Sequence, residues 1–400
     1  MEEINSQMIY TVNSKKFGKI GYVVIDRLVD TISSFSSFGG VRVVPEMNIF
    51  ELQSIARTMT YKNAFIGNRT GGAKAAVIVS KDNKREEILS EFGKNISRLI
   101  FNRMYFPVMD MGIDINELQL IFDSAGYKCD CLSWENMSHE YTAYSCFYST
   151  MAVLESKGIS IKDVTFSVQG FGNVGSTYAL LMFKEGARLT ALSNIYGGIA
   201  DENGFNVEEL LKEKLLYGDN FILTKLKEKG TSYDSVLEKD VTVLLPASNA
   251  LVINNGNMKN IKADIIICAA NAPVSYDAEK LLFNEKKTII TDFVANCGGI
   301  LGSANVNKET ILRILSTDYK KKVSNILTKS IDLKRPFIDI AMGEVEDRID
   351  RDYEDVIISR GKTEYIADLI SNLPMNKTTN KIINNVLSKR YSTRYKTLWG

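Results

Sequence analysis

Two lysines stand twelve residues apart, Lys62 in Met59-Thr60-Tyr61-Lys62-Asn63-Ala64 and, just after a glycine pair, Lys74 in Gly71-Gly72-Ala73-Lys74, with Gly39-Gly40-Val41-Arg42 upstream. Glycine has no Cβ, so a lysine beside glycines is one that a ligand can approach along the backbone. A third glycine cluster, Gly170-Phe171-Gly172-Asn173-Val174-Gly175, lies far downstream between the apolar run Val164 to Val168 and a helical pattern from Ser176 to Phe183. In that context the spacing is the dinucleotide fingerprint. Gly170 makes the tight turn, Gly172 lets a pyrophosphate approach the backbone, and Gly175 lets helix and strand pack closely. Asn173 and Val174 belong to the same glycine turn, and the N-terminus of the helix that follows supplies unpaired N–H groups to phosphate oxygens. The alternative is a purely structural glycine turn.

The elements that must carry these residues can be read from periodicity. Residues 19 to 26 and Gly40 to Val44 are rich in β-branched side chains and predict strands. Asn48 is an expected helix cap, with Glu51 three residues on and Ile49, Leu52, Ile55 and Ala56 at helical spacing; that helix delivers Lys62 near its C-terminal end. A short strand at Ala75 to Val79 and an amphipathic helix from Glu86 to Phe101 follow. A helix from Tyr144 to Lys157 leads into the Val164 to Val168 strand, and further strands fall at Arg188 to Leu192, Val241 to Leu245, Ile265 to Cys268 and Thr288 to Ile290. This βαβ series predicts a parallel, doubly wound sheet. The next strand after the fingerprint ends at Asn194, where an acidic residue ordinarily holds the ribose hydroxyls of NAD. A neutral side chain there leaves NAD and NADP both open, with NAD ahead because no arginine is adjacent to attract a 2′-phosphate.

Composition excludes several classes. With 49 Lys+Arg against 48 Asp+Glu the net charge is +1, which argues against a nucleic-acid partner. The five cysteines are odd in number and lack paired metal-ligand spacing, and the single histidine, His139, has no second ligand beside it, so no metal site is expected. No signal pattern opens the chain and no uncharged apolar run approaches the roughly 18 residues needed to span a bilayer, which predicts a cytoplasmic protein without a membrane partner. Four hundred residues predict more than one domain.

The ordered set Gly39 to Arg42, Met59 to Lys62, Gly71 to Lys74, Met109-Asp110-Met111-Gly112, Thr142-Ala143-Tyr144, Gly170 to Gly175 and Asn296-Cys297-Gly298-Gly299 resembles the glutamate/leucine/phenylalanine/valine dehydrogenases. The resemblance spans about residue 20 to about residue 305. It implies reversible conversion of an L-amino acid with NAD or NADP to the 2-oxo acid and ammonia, and a homo-oligomer. It also implies residue roles. Lys62 matches the lysine that pairs with the substrate α-carboxylate, beside the close-approach glycine Gly40. Lys74 matches the lysine that activates water, and Asp110 the aspartate that shuttles a proton to and from the substrate nitrogen. Thr142 matches the threonine bonded to the nicotinamide carboxamide; Asn271 and Asn296 match asparagines lining the nicotinamide and its ribose. Read without the resemblance, Lys62 is a solvated helix end, Lys74 a turn lysine, Asp110 a loop cap and Thr142 a helix N-cap.

The departures bear on the substrate. Where glutamate-specific members resemble one another in a lysine before Gly-Gly-x-Arg, this chain has Phe38, and a substrate carboxylate buried against a phenyl ring would cost several kcal/mol. Phe38 therefore points away from glutamate, or is ordinary core. Ser303 matches a serine that assists that same carboxylate in glutamate enzymes. Arg69, near the second lysine, is either exposed or binds an extra acidic group, and Ser145 stands where glycine is common. The expected architecture is α/β: a substrate-binding and oligomerisation domain over residues 1–144, a Rossmann-type dinucleotide domain over 145–310 with the active site in the cleft between them, and a mainly helical segment over 311–400 ending in a basic tail. Two other readings stay open: an enzyme for an unusual amino or imino acid on the same scaffold, and a catalytically silent nucleotide-binding homologue.

Overall fold

The computed structural model describes residues 8–29, 35–80, 84–133, 138–301 and 307–349. They fall into two compact units, one of residues 8–133 with 344–349 and the other of residues 138–343. Residue 144, the expected end of the first domain, lies inside a single helix, and the helices after residue 307 group with the nucleotide-type sheet up to residue 343. Ser303 and the basic tail lie outside the described residues.

In the first unit the order is β1 (Met8–Ser14), β2 (Gly18–Ile25), β3 (Ser37–Val44), α1 (Ile49–Phe65), β4 (Gly71–Ile78), α2 (Arg85–Phe101), β5 (Phe106–Met109) and α3 (Ile115–Ala125). The five strands form one mixed sheet in the order β1-β2-β4-β3-β5; β3 runs parallel to β4 and β5, whereas β2 is antiparallel to β1 and β4. Because strand side chains alternate, each face is covered by its own helix layer. Val41, Val43, Ala73, Ala75 and Val77 join Leu89, Phe92, Ile96 and Ile100 of α2 and Leu118, Ile121 and Phe122 of α3 in one buried cluster. Each of the large side chains contributes about 1.5 to 3 kcal/mol by leaving water. On the opposite face Val24 and Ala76 meet Leu52 and Ala56 of α1. That face carries Gly40, Gly72 and Lys74, whereas Phe38, near the start of β3, packs against the α2 and α3 cluster.

In the second unit the order is α4 (Ser138–Lys157), β6 (Thr165–Gln169), α5 (Asn173–Lys184), β7 (Arg188–Asn194), β8 (Gly197–Ala200), α6 (Val207–Tyr217), a 3-10 turn at Gly218–Thr224, α7 (Leu226–Lys229), β9 (Gly230–Thr231), β10 (Val243–Pro246), β11 (Ile265–Ile267), α8 (Tyr276–Asn284), β12 (Thr288–Ile290), α9 (Asp292–Ala295), α10 (Gly298–Leu301), α11 (Lys308–Ile314) and α12 (Lys320–Leu333). Five strands are parallel in the order β12-β11-β10-β6-β7, as expected of a doubly wound sheet. At one edge two short strands not expected from the sequence, β8 of four residues and β9 of two, are antiparallel and too short to show a pattern. No helix among the described residues is long and apolar enough to cross a membrane.

Candidate active site

Lys74 and Asp110 come from neighbouring parts of the first sheet. Lys74 lies in β4, Asp110 directly follows β5, and β3 runs between these two strands. The register pairs Val41 with both Ala75 and Met109, so Lys74 falls opposite Gly40 and Asp110 falls opposite Arg42, two positions further along the same face. Lys74 Nζ lies 2.8 Å from Asp110 Oδ2, and Arg42 Nε donates to the same oxygen at 3.1 Å. A Cβ on Gly40 would stand 2.6 Å from Asp110 Cβ and 3.1 Å from Lys74 Nζ. The missing side chain at Gly40 therefore makes the space in which lysine and carboxylate meet. The pair is buried, with side-chain exposures of 4% and 14%. Burial pushes the Asp110 carboxyl up, but the Lys74 ammonium and Arg42 guanidinium outweigh it and hold the group at about 2. It is ionised across the neutral range.

Asn48 caps α1, its side chain accepting from the Phe50 amide at 2.9 Å. Lys62 sits in the last turn of that helix and is buried. The helix is pressed onto β4: a Cβ on Gly72 would stand 2.2 Å from Thr60 N, and the Gly72 amide donates to Thr60 Oγ1 at 2.9 Å. Thr60 in turn donates to buried Asp26, whose other oxygen pairs with Arg57 at 2.8 Å. Lys62 lies two residues beyond Thr60, and Lys74 two residues beyond Gly72. The reading of Lys62 as a solvated helix end does not hold, since it is buried, nor does that of Lys74 as a turn lysine, since it lies within β4.

Phe38 precedes Gly40 by two residues in β3, pairs with Gly72 and Phe106 across the sheet, and packs against the cluster that contains Phe35 and Phe122. Its ring centroid lies 5.3 Å from that of Phe106 and 6.1 Å from that of Phe35. An aromatic group therefore lines the strand that carries Gly40. Phe106 and Arg42 were not singled out from sequence as site residues; Arg42 was visible in Gly-Gly-x-Arg, whereas Phe106 depends on a strand pairing no local pattern reveals. Arg69 is half-buried.

In the second unit the glycines divide the work as expected. Gly170 takes φ +100°, a conformation that disfavours any side chain. A Cβ on Gly175 would stand 2.2 Å from Gly170 O, which is the close helix–strand approach. Among the described residues nothing lies within 4 Å of a Cβ built on Gly172. It is the N-cap of α5, which has no side-chain cap, and with Asn173 it is exposed. The turn fits a pyrophosphate at a helix N-terminus, Gly172 and Val174 bracketing Asn173 at its first residue. Asn194 closes β7 and is buried; its Nδ2 donates to Asp219 O at 2.7 Å and its Oδ1 accepts from Tyr196 N at 2.9 Å.

Asn271 and Asn296 are brought together, Asn296 Nδ2 donating to Ala269 O and Ala270 O at 3.1 Å each and reaching Asn271 Oδ1 at 3.4 Å. Among the described residues the buried Asn296 Oδ1 has no hydrogen-bond partner. An orphaned acceptor of that kind suits a carboxamide donor. Asp292 accepts from the Ala272 amide at 2.8 Å and so holds the positive φ of +46° at Ala272 beside Asn271. Thr142 is the fifth residue of α4 and its hydroxyl donates to Ser138 O at 2.8 Å, so the N-cap alternative is corrected: the helix starts earlier than the expected Tyr144. Ser145 replaces glycine without crowding this corner, since its hydroxyl donates to Ala295 O at 2.7 Å and accepts from Gly298 N at 3.1 Å. Among the described residues no group of three or more His, Cys, Asp or Glu is placed to hold a metal.

Comparison with known proteins agrees with this layout. The family profile described as Glutamate/Leucine/Phenylalanine/Valine dehydrogenase matches residues 135–333, and that of the Glu/Leu/Phe/Val dehydrogenase dimerisation domain matches residues 31–127. A glutamate dehydrogenase of Thermotoga maritima is 29% identical over 279 residues, 66% of this chain and 67% of that protein. Among solved structures, the hetero-hexameric glutamate dehydrogenase of Thermus thermophilus superposes with a TM-score of 0.72 at 18% identity, covering 87% of this chain and 89% of that one. The L-tryptophan dehydrogenase of Nostoc punctiforme does so with a TM-score of 0.63 at 21% identity, covering 88% and 97%. The chain belongs to the glutamate/leucine/phenylalanine/valine dehydrogenase family, oxidoreductases of the amino acid dehydrogenase type acting on CH–NH2 groups.

Proposed function

We propose that the protein interconverts an L-amino acid with an apolar side chain and its 2-oxo acid, releasing or taking up ammonia, with NAD or NADP as the redox partner. The observation that carries this reading is the buried Lys74–Asp110 pair set against Gly40, with Phe38 and Phe106 on the adjoining strands. Nothing in packing requires two opposite charges there, and desolvating them is costly unless the site uses them. The glycine turn Gly170 to Gly175 would hold the pyrophosphate, Asn194 would stand near the adenosine ribose, and Thr142, Asn271 and Asn296 would line the nicotinamide. When bound, the nicotinamide accepts the hydride that leaves the substrate α-carbon.

The chain's own residues do the rest. Lys62 binds the α-carboxylate as a point charge at the end of α1. Asp110 is ionised and takes a proton from the substrate ammonium, leaving the nitrogen lone pair free to assist hydride departure. Lys74, having first given its ammonium proton to solvent, removes a proton from the water that attacks the resulting imine carbon, and the protonated Asp110 gives the proton it took from the substrate to the nitrogen as ammonia departs. The lysine and carboxylate stand 2.8 Å apart. Phe38 with Phe106 receives an apolar side chain and rejects a carboxylate. Relatives include a glutamate and a tryptophan dehydrogenase, so side-chain choice within the family varies. The test is a panel of leucine, valine, phenylalanine, tryptophan and glutamate with NAD and with NADP, followed by absorbance of the reduced nicotinamide. Turnover with apolar amino acids above that with glutamate supports the reading. Preference for glutamate would overturn the substrate assignment.

A further inference from the structure

The neutral residue at the end of β7 raises the question of what meets the adenosine ribose. Gly170 N and Phe171 N both donate to Ser193 O, at 3.1 and 2.7 Å, so the glycine turn is tied to the residue immediately before Asn194. Asn194 itself has its oxygen and an amide hydrogen committed to Tyr196 N and Asp219 O. Its side chain works as a clamp, and what it clamps is the 3-10 turn Gly218–Thr224. A second tether fixes the same turn: Phe221, fully buried, packs on Phe171 with ring centroids 5.9 Å apart. Two independent contacts therefore hold Asp219 beside the fingerprint from another element. Its carboxylate is partly exposed, and Lys214 Nζ pairs with Asp219 Oδ1 at 2.5 Å. Ile195 and Tyr196, at the tip of the β7–β8 hairpin, and Tyr217, one residue before the turn, are large side chains left exposed in the same region. They offer apolar surface for a purine face.

We propose that Asp219, clamped by Asn194 and Phe221 and paired with Lys214, is the carboxylate that receives the adenosine ribose hydroxyls and makes the protein prefer NAD over NADP. The proposal rests on the reading of Gly170 to Gly175 as the dinucleotide site. A carboxylate has about four lone-pair positions, so pairing one oxygen with Lys214 leaves acceptor capacity for a ribose diol. A 2′-phosphate at that position meets like charge, which Lys214 moderates but does not cancel. The two residues therefore act in opposite senses. Removing the Asp219 charge takes away both the diol acceptor and the repulsion; removing the Lys214 charge leaves the repulsion unopposed.

The experiment titrates the full-length protein with NADH and, separately, NADPH, following nicotinamide fluorescence. The wild type is expected to bind NADH more tightly. Asp219→Asn should weaken NADH by about tenfold to a hundredfold, the range for losing a hydrogen bond to a charged group, and bring the two dissociation constants together. Lys214→Met should weaken NADPH more than NADH and widen the gap. If both nucleotides bind but Asp219→Asn leaves their ratio unchanged, or the wild type prefers NADPH, Asp219 is not the discriminator and the dinucleotide site stands without it. If the wild type binds neither nucleotide, the dinucleotide reading fails and this proposal with it.

Discussion

Substituting Gly40 by alanine tests the geometry of the Lys74–Asp110 pair with a single methyl group. Built on the backbone, that methyl lies 2.6 Å from Asp110 Cβ and 3.1 Å from Lys74 Nζ. Carbon atoms rest comfortably at about 3.5 to 4 Å, so Asp110 must retreat by about 1 Å. It has little freedom to do so, since its carboxylate is held by Lys74 at 2.8 Å and Arg42 at 3.1 Å, and the adjoining Met111 carbonyl accepts from Val43 N at 3.0 Å. Overpacking of this kind costs about 1 to 3 kcal/mol of stability. A displacement of about 1 Å at reacting groups lowers catalysis by about a hundredfold. The two effects separate experimentally: kcat/KM measured on protein that denaturant titration shows to be folded reports the second alone. Activity of Gly40→Ala within about threefold of wild type would refute the argument that Gly40 sets the pair's geometry.

Phe38→Lys is expected to raise the KM for leucine and lower that for glutamate, since an ammonium replaces the ring that packs on Phe106 and Phe35; an unchanged preference would remove Phe38 from the substrate pocket. Gly172→Ala, at a position with nothing within 4 Å, should fold with near wild-type stability yet bind the dinucleotide about tenfold or more weakly, by keeping the pyrophosphate off the backbone. Gly175→Ala meets Gly170 O at 2.2 Å and should instead lose stability, by about 1 to 3 kcal/mol in a thermal or denaturant melt. Asp110 titrates at about 2 in the folded protein against an ordinary value of 3.8, so its contribution is fully present above the ordinary value and is lost as pH falls through about 2. That contribution is roughly 2 kcal/mol, and the stability difference between wild type and Asp110→Asn should shrink by about that amount between pH 4 and pH 2.

Much of the nucleotide unit was legible because its signals are local. Gly170, Gly172 and Gly175 have three different reasons to be glycine, and the structure shows a positive φ, an open Cβ position and a close carbonyl at the three in turn. The first unit was harder to read. Lys74 and Asp110 are 36 residues apart and meet only because β4 and β5 both pair with β3, a non-local register that no periodicity announces. β5 has four residues, and β1 alternates buried and exposed positions through polar side chains such as Thr11, Asn13 and Ser14, so neither gave a clear strand signal. The early start of α4 was masked by the polar run Ser138 to Thr142, where Tyr141 is the buried side chain. The Asp219–Lys214 pair was invisible for a simpler reason: a lysine five residues before an aspartate is unremarkable until the Asn194 clamp shows where it lies.

Lys74 is assigned the proton chemistry in the proposed function, and the dinucleotide is assigned to residues far from it in the chain. Lys74→Ala measured in parallel for turnover and for reduced-nucleotide binding tests this most directly. Loss of essentially all turnover is expected, with the dissociation constant of the nucleotide close to that of the wild type. Retention of most of the turnover by Lys74→Ala would contradict that assignment.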